Sequence, residues 1–211
     1  RESINKAVEQ ETKFVKQSGG RGQYAHVVLS VEPTEPGVGY KFINKIVGGV
    51  IPKEYIPAID KGIQESIKNG ALAGYPVEDI SVTLTFGSFH DVDSNEMCFR
   101  VCGGIAIKEA MLKASPKLME PVMDLEVVMP EDYLGSVMGD VTSRRGTVKG
   151  FDPRGNAQVL NATVPLSEMF GYVGDLRTMS SGRANYTMQF DSYQQMPANV
   201  QEEVVTRLRG E

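Results

Sequence analysis

The order of strand and helix patterns in the second half of the chain limits its fold more than any other feature. From Met119 onward, runs rich in Val, Leu and Met alternate with segments whose apolar residues recur at helical spacing. The predicted elements follow the order β-α-β-β-α-β, and a last helix follows them. This order is the split βαβ pattern of ferredoxin-like domains. The expected strands are 119–129, 146–151, 157–165 and 184–192, the expected hairpin turn is 152–156, and the expected helices are 131–145, 170–180 and 198–209.

The first half of the chain predicts a separate unit with a different order of strands and helices. Its expected strands are 11–17, 23–32, 40–47 and 77–89, and its expected helices are 53–68 and 94–114. Asp93 or Ser94 is expected to cap the second helix. With a boundary near residues 117–120, the sequence predicts an α+β protein of two tandem domains, 1–119 and 120–211. The opening residues lead into a polar stretch without a docked element, and because there is no initiator Met we expect a fragment of a longer protein.

Composition narrows the function classes. The chain has 211 residues, of which 41% are hydrophobic, and this is enough for a core in each domain. A net charge of −5 argues against a broad electrostatic face for nucleic acid, so any RNA contact must be local and based on shape. No apolar run approaches the roughly 20 residues that cross a bilayer, and no signal-peptide pattern is present. We therefore expect a cytoplasmic protein, in the cytosol or an organelle matrix, with no membrane contact.

Residues for metal binding or catalysis are not grouped in the sequence. Cys98 and Cys102 lie four apart in a predicted helix, but no second Cys pair or suitably spaced His completes a zinc site. We interpret them as reduced, buried thiols. A Gly-x-x-x-x-Gly-Lys-Ser/Thr phosphate-binding loop is absent, and no catalytic triad is evident. The sequence thus predicts no metal, no cofactor and no enzymatic activity for this chain.

Two polar loops carry the features that a local RNA contact needs. The first, 18–23, places three glycines around one Arg, and a glycine backbone can lie flat against a ribose-phosphate chain. The second joins a predicted strand to a predicted helix and contains His90, whose imidazole can donate a hydrogen bond and stack on a base. The residues alone favour an ordinary surface loop in both cases, and the family resemblance described below is what favours an RNA contact. His26, within a strand, is interpreted as structural, and Gly48-Gly49 forms a third loop that could border the same end.

Gly87–Phe99 and Ser18–Gln23 together resemble the tip loops of the fourth domain of elongation factor G, the GTPase that drives translocation on the ribosome. The resemblance continues along the chain. Pro130–Asp140 with Arg144-Arg145-Gly146 is similar to the first helix of the fifth domain of that family, and Met169–Tyr172 with Leu176-Arg177 is similar to its second helix. Ser181–Ala184 resembles the entry into its last strand.

The resemblance implies a fold and a set of contacts. The first domain would be like domain 2 of ribosomal protein S5, with a left-handed crossover, and the second would be ferredoxin-like. The tip would enter the small-subunit decoding site and contact tRNA and mRNA, with Asp91 and Asp93 shaping or capping the loop rather than facing phosphate. GTP and Mg²⁺ would belong to an amino-terminal domain of the parent GTPase. The residues implied at the decoding site are Ser18, Gly19, Gly20, Arg21, Gly22, Gln23, Ser88, Phe89, His90, Asp91 and Val92.

The sequence also leaves open a contact with large-subunit RNA and two alternative functions. Arg144, Arg145, Lys149 and Arg154 surround a helix end and a hairpin, and they predict either a small patch for large-subunit RNA or a solvated Arg pair at a helix terminus. The parent could instead be a ribosome-protection or ribosome-recycling GTPase with the same domains. The chain could also be a free-standing RNA-binding module. In each case the partner is RNA or the ribosome, and the chain is expected to be a monomer.

Overall fold

A computed structural model describes residues 1–17 and 19–210. The chain folds into two compact units. The first contains Arg1–Leu118 together with the segment that begins at Met196, and the second contains Met119–Gln195. The sequence places that last segment in the second domain, so the boundary at residues 119 and 120 stays a prediction. The two units are described separately below.

A four-stranded sheet forms the base of the first unit, in the order β2-β3-β5-β4. Its strands are β2 (Val8–Lys16), β3 (Gln23–Pro33), β4 (Tyr40–Asn44) and β5 (Ile80–Ser88). The pairs β2–β3 and β3–β5 are antiparallel, and β4–β5 is parallel. The register of β3 and β5 shifts between Val28 and Leu29, and the Thr85 hydroxyl donates to the Val28 carbonyl oxygen at 3.1 Å. This bulge lies near the end of the sheet at which β5 stops.

Two helices cover one face of this sheet and share its core. They are α1 (Ile56–Ser66), which follows a short 3₁₀ turn, and α2 (Glu96–Lys113). Alternate residues of β3, including Val27 and Leu29, are fully buried with Ile59 and Phe99 of the helices. The predicted α+β class is therefore confirmed for this unit.

The α1 and α2 backbones approach closely at two glycines. A Cβ atom at Gly62 would overlap the carbonyl oxygen of Arg100, and one at Gly103 would lie 2.8 Å from the carbonyl oxygen of Ile59. Only glycine allows this spacing, because real Cβ atoms do not come so near another heavy atom. The two helices therefore pack backbone against backbone.

The opening residues form a docked strand, so the prediction of an undocked start was wrong. Residues Glu2–Ile4 form β1, which pairs antiparallel with Pro116–Leu118. The Glu2 carboxylate is buried and accepts three backbone N–H groups, from Leu72, Ala73 and Tyr75, at 2.9–3.0 Å. These three N–H groups stabilise the buried carboxylate.

The second unit has the predicted order β-α-β-β-α-β. Its sheet has the order β9-β6-β8-β7 with antiparallel pairs throughout, and its core includes Leu125, Val127, Leu160 and Val164. This topology confirms the split βαβ prediction. The elements are β6 (Pro116–Pro130, of which residues 116–118 belong to the first unit), α3 (Leu134–Ser143), β7 (Thr147–Arg154), β8 (Ala157–Pro165), α4 (Tyr172–Met179) and β9 (Asn185–Gln195).

The hairpin between β7 and β8 is tighter than predicted. The strand continues through Pro153 to Arg154, and the turn consists of Gly155 and Asn156, with Gly155 at φ +63°. A proline fits here because β7 is an edge strand, where one backbone position need not donate to a neighbour. A two-residue turn of this kind requires the positive φ that glycine supplies.

A final helix, α5 (Ala198–Arg209), follows β9 as predicted. The Leu118 N–H donates to the Gln201 side-chain oxygen at 2.9 Å, and this bond ties the helix to the first unit. Among the residues that the structure describes, no helix is both long and apolar enough to cross a membrane. The left-handed crossover stays a prediction.

Candidate nucleic-acid interface

The two polar loops lie side by side at one end of the first unit. One is the hairpin between β2 and β3, closed by the pairing of Lys16 with Gln23, and the other runs from the end of β5 to the start of α2. Ser18 lies outside the described residues. Gly19 has φ +40°, and open space surrounds the position of its absent Cβ. The first loop thus exposes backbone that a partner can approach closely.

Hydrogen bonds from both backbone and side chain join the loops. The Tyr24 N–H donates to the Asp93 carbonyl oxygen at 2.9 Å. The Arg21 guanidinium donates twice to the Val92 carbonyl oxygen, from Nε at 3.2 Å and from Nη2 at 3.1 Å. Gly22 allows the approach, because a Cβ atom there would lie 2.9 Å from the Asp93 carboxylate. Arg21 therefore braces the second loop, and among the described residues its other N–H groups have no hydrogen-bond partner.

The helix cap and the role of Ser94 differ from the prediction. The helix cap is Asn95, whose side-chain oxygen accepts the Cys98 N–H at 2.9 Å, so the assignment of the cap to Asp93 or Ser94 was wrong. The Ser94 hydroxyl instead donates to the Tyr24 carbonyl oxygen at 2.7 Å and accepts the His90 N–H at 2.9 Å. Ser94 is 7% exposed, so these bonds are shielded from water.

His90 is the most accessible polar ring of the two loops, with its side chain 58% exposed. Its Nδ1 lies 3.4 Å from the Val92 N–H and 3.7 Å from the Asp93 carboxylate. The two contacts require opposite protonation states of Nδ1, and we assign the acceptor state because the amide is closer. In that tautomer the Nε2–H is the donor that remains for a partner.

Beneath His90, a chain of polar groups crosses the outer face of the sheet. The Tyr24 hydroxyl and His26 Nδ1 each lie 2.7 Å from the Ser88 hydroxyl, and His26 Nε2 lies 2.8 Å from the Glu11 carboxylate. When His26 donates to Glu11, Nδ1 accepts from Ser88, and Ser88 accepts from Tyr24. The buried His26 therefore matches its predicted structural role, and the Ser88 hydroxyl is engaged within the protein.

Apolar side chains surround His90 on the same end of the unit. Phe89 is 39% exposed and Val92 is 57% exposed. Asp91 is exposed as well. Ile51, which follows the Gly48-Gly49 loop, packs where a Cβ at Gly87 would lie, so that third loop reaches this end. The site therefore offers backbone, one imidazole and apolar surface, but little positive charge.

The basic residues predicted to contact RNA in the second unit are paired within it. The Arg144 side chain is 11% exposed and contacts Asp140 at 3.0 Å and Asp175 at 2.5 Å, with its guanidinium 5.0 Å from the Tyr172 ring centre. Burial lowers the Arg144 pKa, but the bonds to Asp140 and Asp175 outweigh burial and raise the pKa overall. A guanidinium enclosed in this way is neither solvated nor presented to a phosphate.

Arg145 has a still more complete set of partners. It donates two bonds to Glu120 at 2.8 and 3.0 Å and one to Glu168 at 3.0 Å. The Glu120 bonds are the main reason that the Arg145 pKa is raised. Lys149 contacts Asp124 at 3.0 Å, and Arg154 lies 3.7 Å from Glu126. The large-subunit contact stays a prediction, and of the four residues Arg154 and Lys149 are open to a partner, with side chains 64% and 47% exposed.

Neither cysteine is placed for chemistry at this site. Cys98 and Cys102 are buried free thiols, and burial raises the Cys102 pKa to about 12. Within residues 1–17 and 19–210, no three His, Cys, Asp or Glu side chains are grouped so that they could hold a metal ion.

Comparison with known proteins identifies the family. A family model described as elongation factor G, domain IV, matches residues 1–115. The chain belongs to the elongation factor G family. A second model, described as the elongation factor G C-terminus, matches residues 117–204. A crystal structure of a Thermus thermophilus protein is similar to the whole chain, with 38% identity and a TM-score of 0.87.

The elongation factor G match confirms the family resemblance and the two tandem α+β domains. The chain covers 32% of the Thermus protein, so it corresponds to about a third of that relative. Sequence reasoning missed Ser94 and Tyr24 as the groups that join the two loops. The sequence wrongly predicts Ser94 as a possible helix cap, and its bond to Tyr24 depends on the fold.

Proposed function

We propose that this chain forms the ribosome-contacting end of a translocation factor, and that its two joined loops bind in the small-subunit decoding site. Membership of the elongation factor G family supports a role in translation elongation. The observation that carries the finer proposal is the exposed tip, where the His90 ring stands beside a glycine-rich hairpin. These groups can stack on bases and follow a ribose-phosphate backbone.

The charge distribution favours insertion into a shaped site over capture by a basic surface. The net charge is −5, and Asp91 and Asp93 lie in the tip loop itself. An electrostatic face would need clustered Lys and Arg, but Arg144 and Arg145 are paired internally. Binding must then depend on complementarity of shape and on single donors such as Arg21 and His90.

The proposed mechanism is occupancy of the decoding site. GTP hydrolysis in the parent protein would drive the ribosome rearrangement, and this chain would add contacts that are stronger in the intermediate than in the initial state. Only such differential binding accelerates a step. The chain itself hydrolyses no nucleotide in this proposal, and GTP with Mg²⁺ belongs to the remainder of the parent.

The decisive experiment compares His90→Ala and Tyr75→Ala in the full-length protein. Tyr75 is the matched control, because it is a 40% exposed aromatic residue outside the tip loops. We expect His90→Ala to reduce the single-turnover rate of mRNA movement roughly tenfold or more while GTP turnover stays near wild type, since stacking contributes about 1–3 kcal/mol per base. Tyr75→Ala should change neither rate.

Three results would count against the proposal. Equal translocation rates for His90→Ala and the wild type would remove the role of the tip. A wild-type protein that splits ribosomal subunits or displaces a ribosome-bound drug, but does not move mRNA, would make the parent a recycling or protection factor. Retention of the chain on bare RNA but not on ribosomes would favour a free-standing RNA-binding module.

A further inference from the structure

Ser94 has an unusual position for a serine that does not cap a helix. It lies one residue before the Asn95 cap, is 7% exposed, and uses donor and acceptor functions of its side chain at the same time. Its backbone is also engaged, since its N–H donates to the His90 carbonyl oxygen at 3.1 Å and its carbonyl oxygen accepts the Tyr55 hydroxyl at 3.3 Å. Four hydrogen bonds therefore converge on one small residue.

These bonds connect three separate segments. Tyr24 is the second residue of β3, the strand that follows the glycine-rich hairpin; His90 lies in the other loop, and Tyr55 precedes α1. Because Ser94 bonds to the backbone of Tyr24 and of His90, it fixes the position of one loop relative to the other. Asn95 then attaches the same point to the first turn of α2.

We propose that Ser94 is a positioning residue for His90: its hydroxyl joins the two tip loops so that the imidazole is presented in one place. Arg21 is the second tie, through its two bonds to the Val92 carbonyl oxygen. The inference rests on the proposed function for its effect on translocation, but the joining of the loops is testable without ribosomes.

The physical consequence is preorganisation. A contact that forms from a fixed geometry does not have to order the loop during the step, and a displacement of about 1 Å can cost a factor near 100 in rate. Without the hydroxyl, the His90 N–H and the Tyr24 carbonyl oxygen lose a shielded partner and the loops separate more often. His90 keeps its chemistry but not its place.

The first test measures amide hydrogen exchange in this chain. We expect Ser94→Ala to accelerate exchange at the His90 and Tyr24 amides at least tenfold, while the β3 amides of Val27 and Leu29 keep wild-type rates. Ser94→Thr, which keeps a hydroxyl group, should bring the exchange rates of both amides back to within about threefold of the wild-type rates. Unchanged exchange at His90 and Tyr24 in Ser94→Ala would overturn the inference.

The second test measures translocation by the full-length protein. Ser94→Ala should lower the maximal rate roughly tenfold with less than a twofold change in the concentration that gives half the maximal rate, because the contact groups are intact but misplaced. Ser94→Thr should recover most of that rate. A loss of affinity with an unchanged maximal rate would overturn the positioning role.

Arg21→Met provides a variant that does not depend on a buried substitution. It removes the tie to Val92 from an exposed side chain, and Lys113→Met is its control, since it removes one exposed positive charge at the other end of α2. Arg21→Met should accelerate exchange of the loop amides and slow translocation, and Lys113→Met should do neither. Fast loop exchange with normal translocation would overturn the positioning inference but not the proposed function. A wild-type protein that does not translocate would overturn the proposed function but leave the exchange result unaffected.

Discussion

Replacing Arg145 with Met should substantially lower the free energy of unfolding of the second unit. The Glu120 side chain is 6% exposed and accepts two Arg145 bonds at 2.8 and 3.0 Å, and Glu168 accepts a third at 3.0 Å. Removing one partner of a buried ion pair costs about 3–5 kcal/mol because the other charge stays uncompensated. The Arg145 side chain is 26% exposed, so solvent screening reduces our expectation to about 2–3 kcal/mol.

The choice of Met keeps the backbone effect constant. Arg145 has φ +58°, a left-handed conformation that is strained for any residue with a Cβ atom, and Met retains that strain. A glycine variant would relieve it and would mix the two effects. The measured difference then reports the loss of the guanidinium and its bonds to Glu120 and Glu168.

Native-state hydrogen exchange in urea is the suitable assay, because a chain of two units need not unfold in one step. The amides of Leu160 and Ala162 in the central strand β8 report the second unit. Arg154→Met is the matched control, since its side chain is 64% exposed and 3.7 Å from Glu126, and it should cost at most about 0.5 kcal/mol. Adding Glu120→Met to Arg145→Met should recover part of the loss.

Equal costs for Arg145→Met and Arg154→Met would refute this reasoning. In that case the Arg145 guanidinium would not be held by Glu120 in solution. If Arg145→Met also weakened ribosome binding at unchanged stability, the predicted large-subunit contact would gain support. Our expectation is the reverse, with a large loss of stability and no separate loss of RNA affinity.

Two further predictions concern a helix glycine and a buried thiol. Gly139 is exposed within α3, and open space surrounds the position of its missing Cβ, so Gly139→Ala should stabilise the second unit by about 0.5–1 kcal/mol in urea unfolding. Gly62→Ala should destabilise the first unit, because a Cβ there has no room beside Arg100. A loss of stability in Gly139→Ala would contradict this reasoning. The Cys102 pKa lies at about 12 instead of its ordinary 9.0, so this thiol should resist Ellman's reagent at pH 8 until the chain unfolds. Because the Cys102 pKa is higher in the folded than in the unfolded chain, its contribution to stability is complete below pH 9 and is lost as pH rises from about 9 towards 12. Over that range the free energy of unfolding should therefore fall less steeply with pH in Cys102→Ala than in the wild type. Equal slopes of unfolding free energy against pH would show that Cys102 is not the cause.

Patterns local in sequence were enough for most of the elements. The apolar spacing that includes Ile59 and Ile63 predicted α1, and the alternation before Ser88 predicted β5, because each signal lies within one element. The end of β4 at Asn44 and the start of β5 at Ile80 differ from the predictions by three residues. Strand ends depend on which neighbours are available for pairing, and this is not encoded locally.

The errors share a cause in contacts between distant residues. Glu2 looks like a surface residue, but loop N–H groups around residue 72 surround its carboxylate. Ser94 and Asn95 are both good caps, and the Tyr24 carbonyl oxygen decides that Ser94 has another task. Arg144 looked accessible because its partner Asp175 lies 31 residues later. Sequence reasoning therefore singled out the two loops that lie together, but it did not predict how they are held; their contact with RNA stays a prediction.

The close packing of α1 and α2 bears on how the first unit would respond to a force on its tip loops. The 18 residues of α2 start at the Asn95 cap, directly after the tip loop, and run about 27 Å away from it. At Gly62 and Gly103 the backbones of this helix and α1 are in direct contact. If His90 contacts a partner as proposed, we expect a force on it to pass along this helix into the body of the unit. In the proposed function, such a tip would transmit displacement in both directions between the protein and its partner.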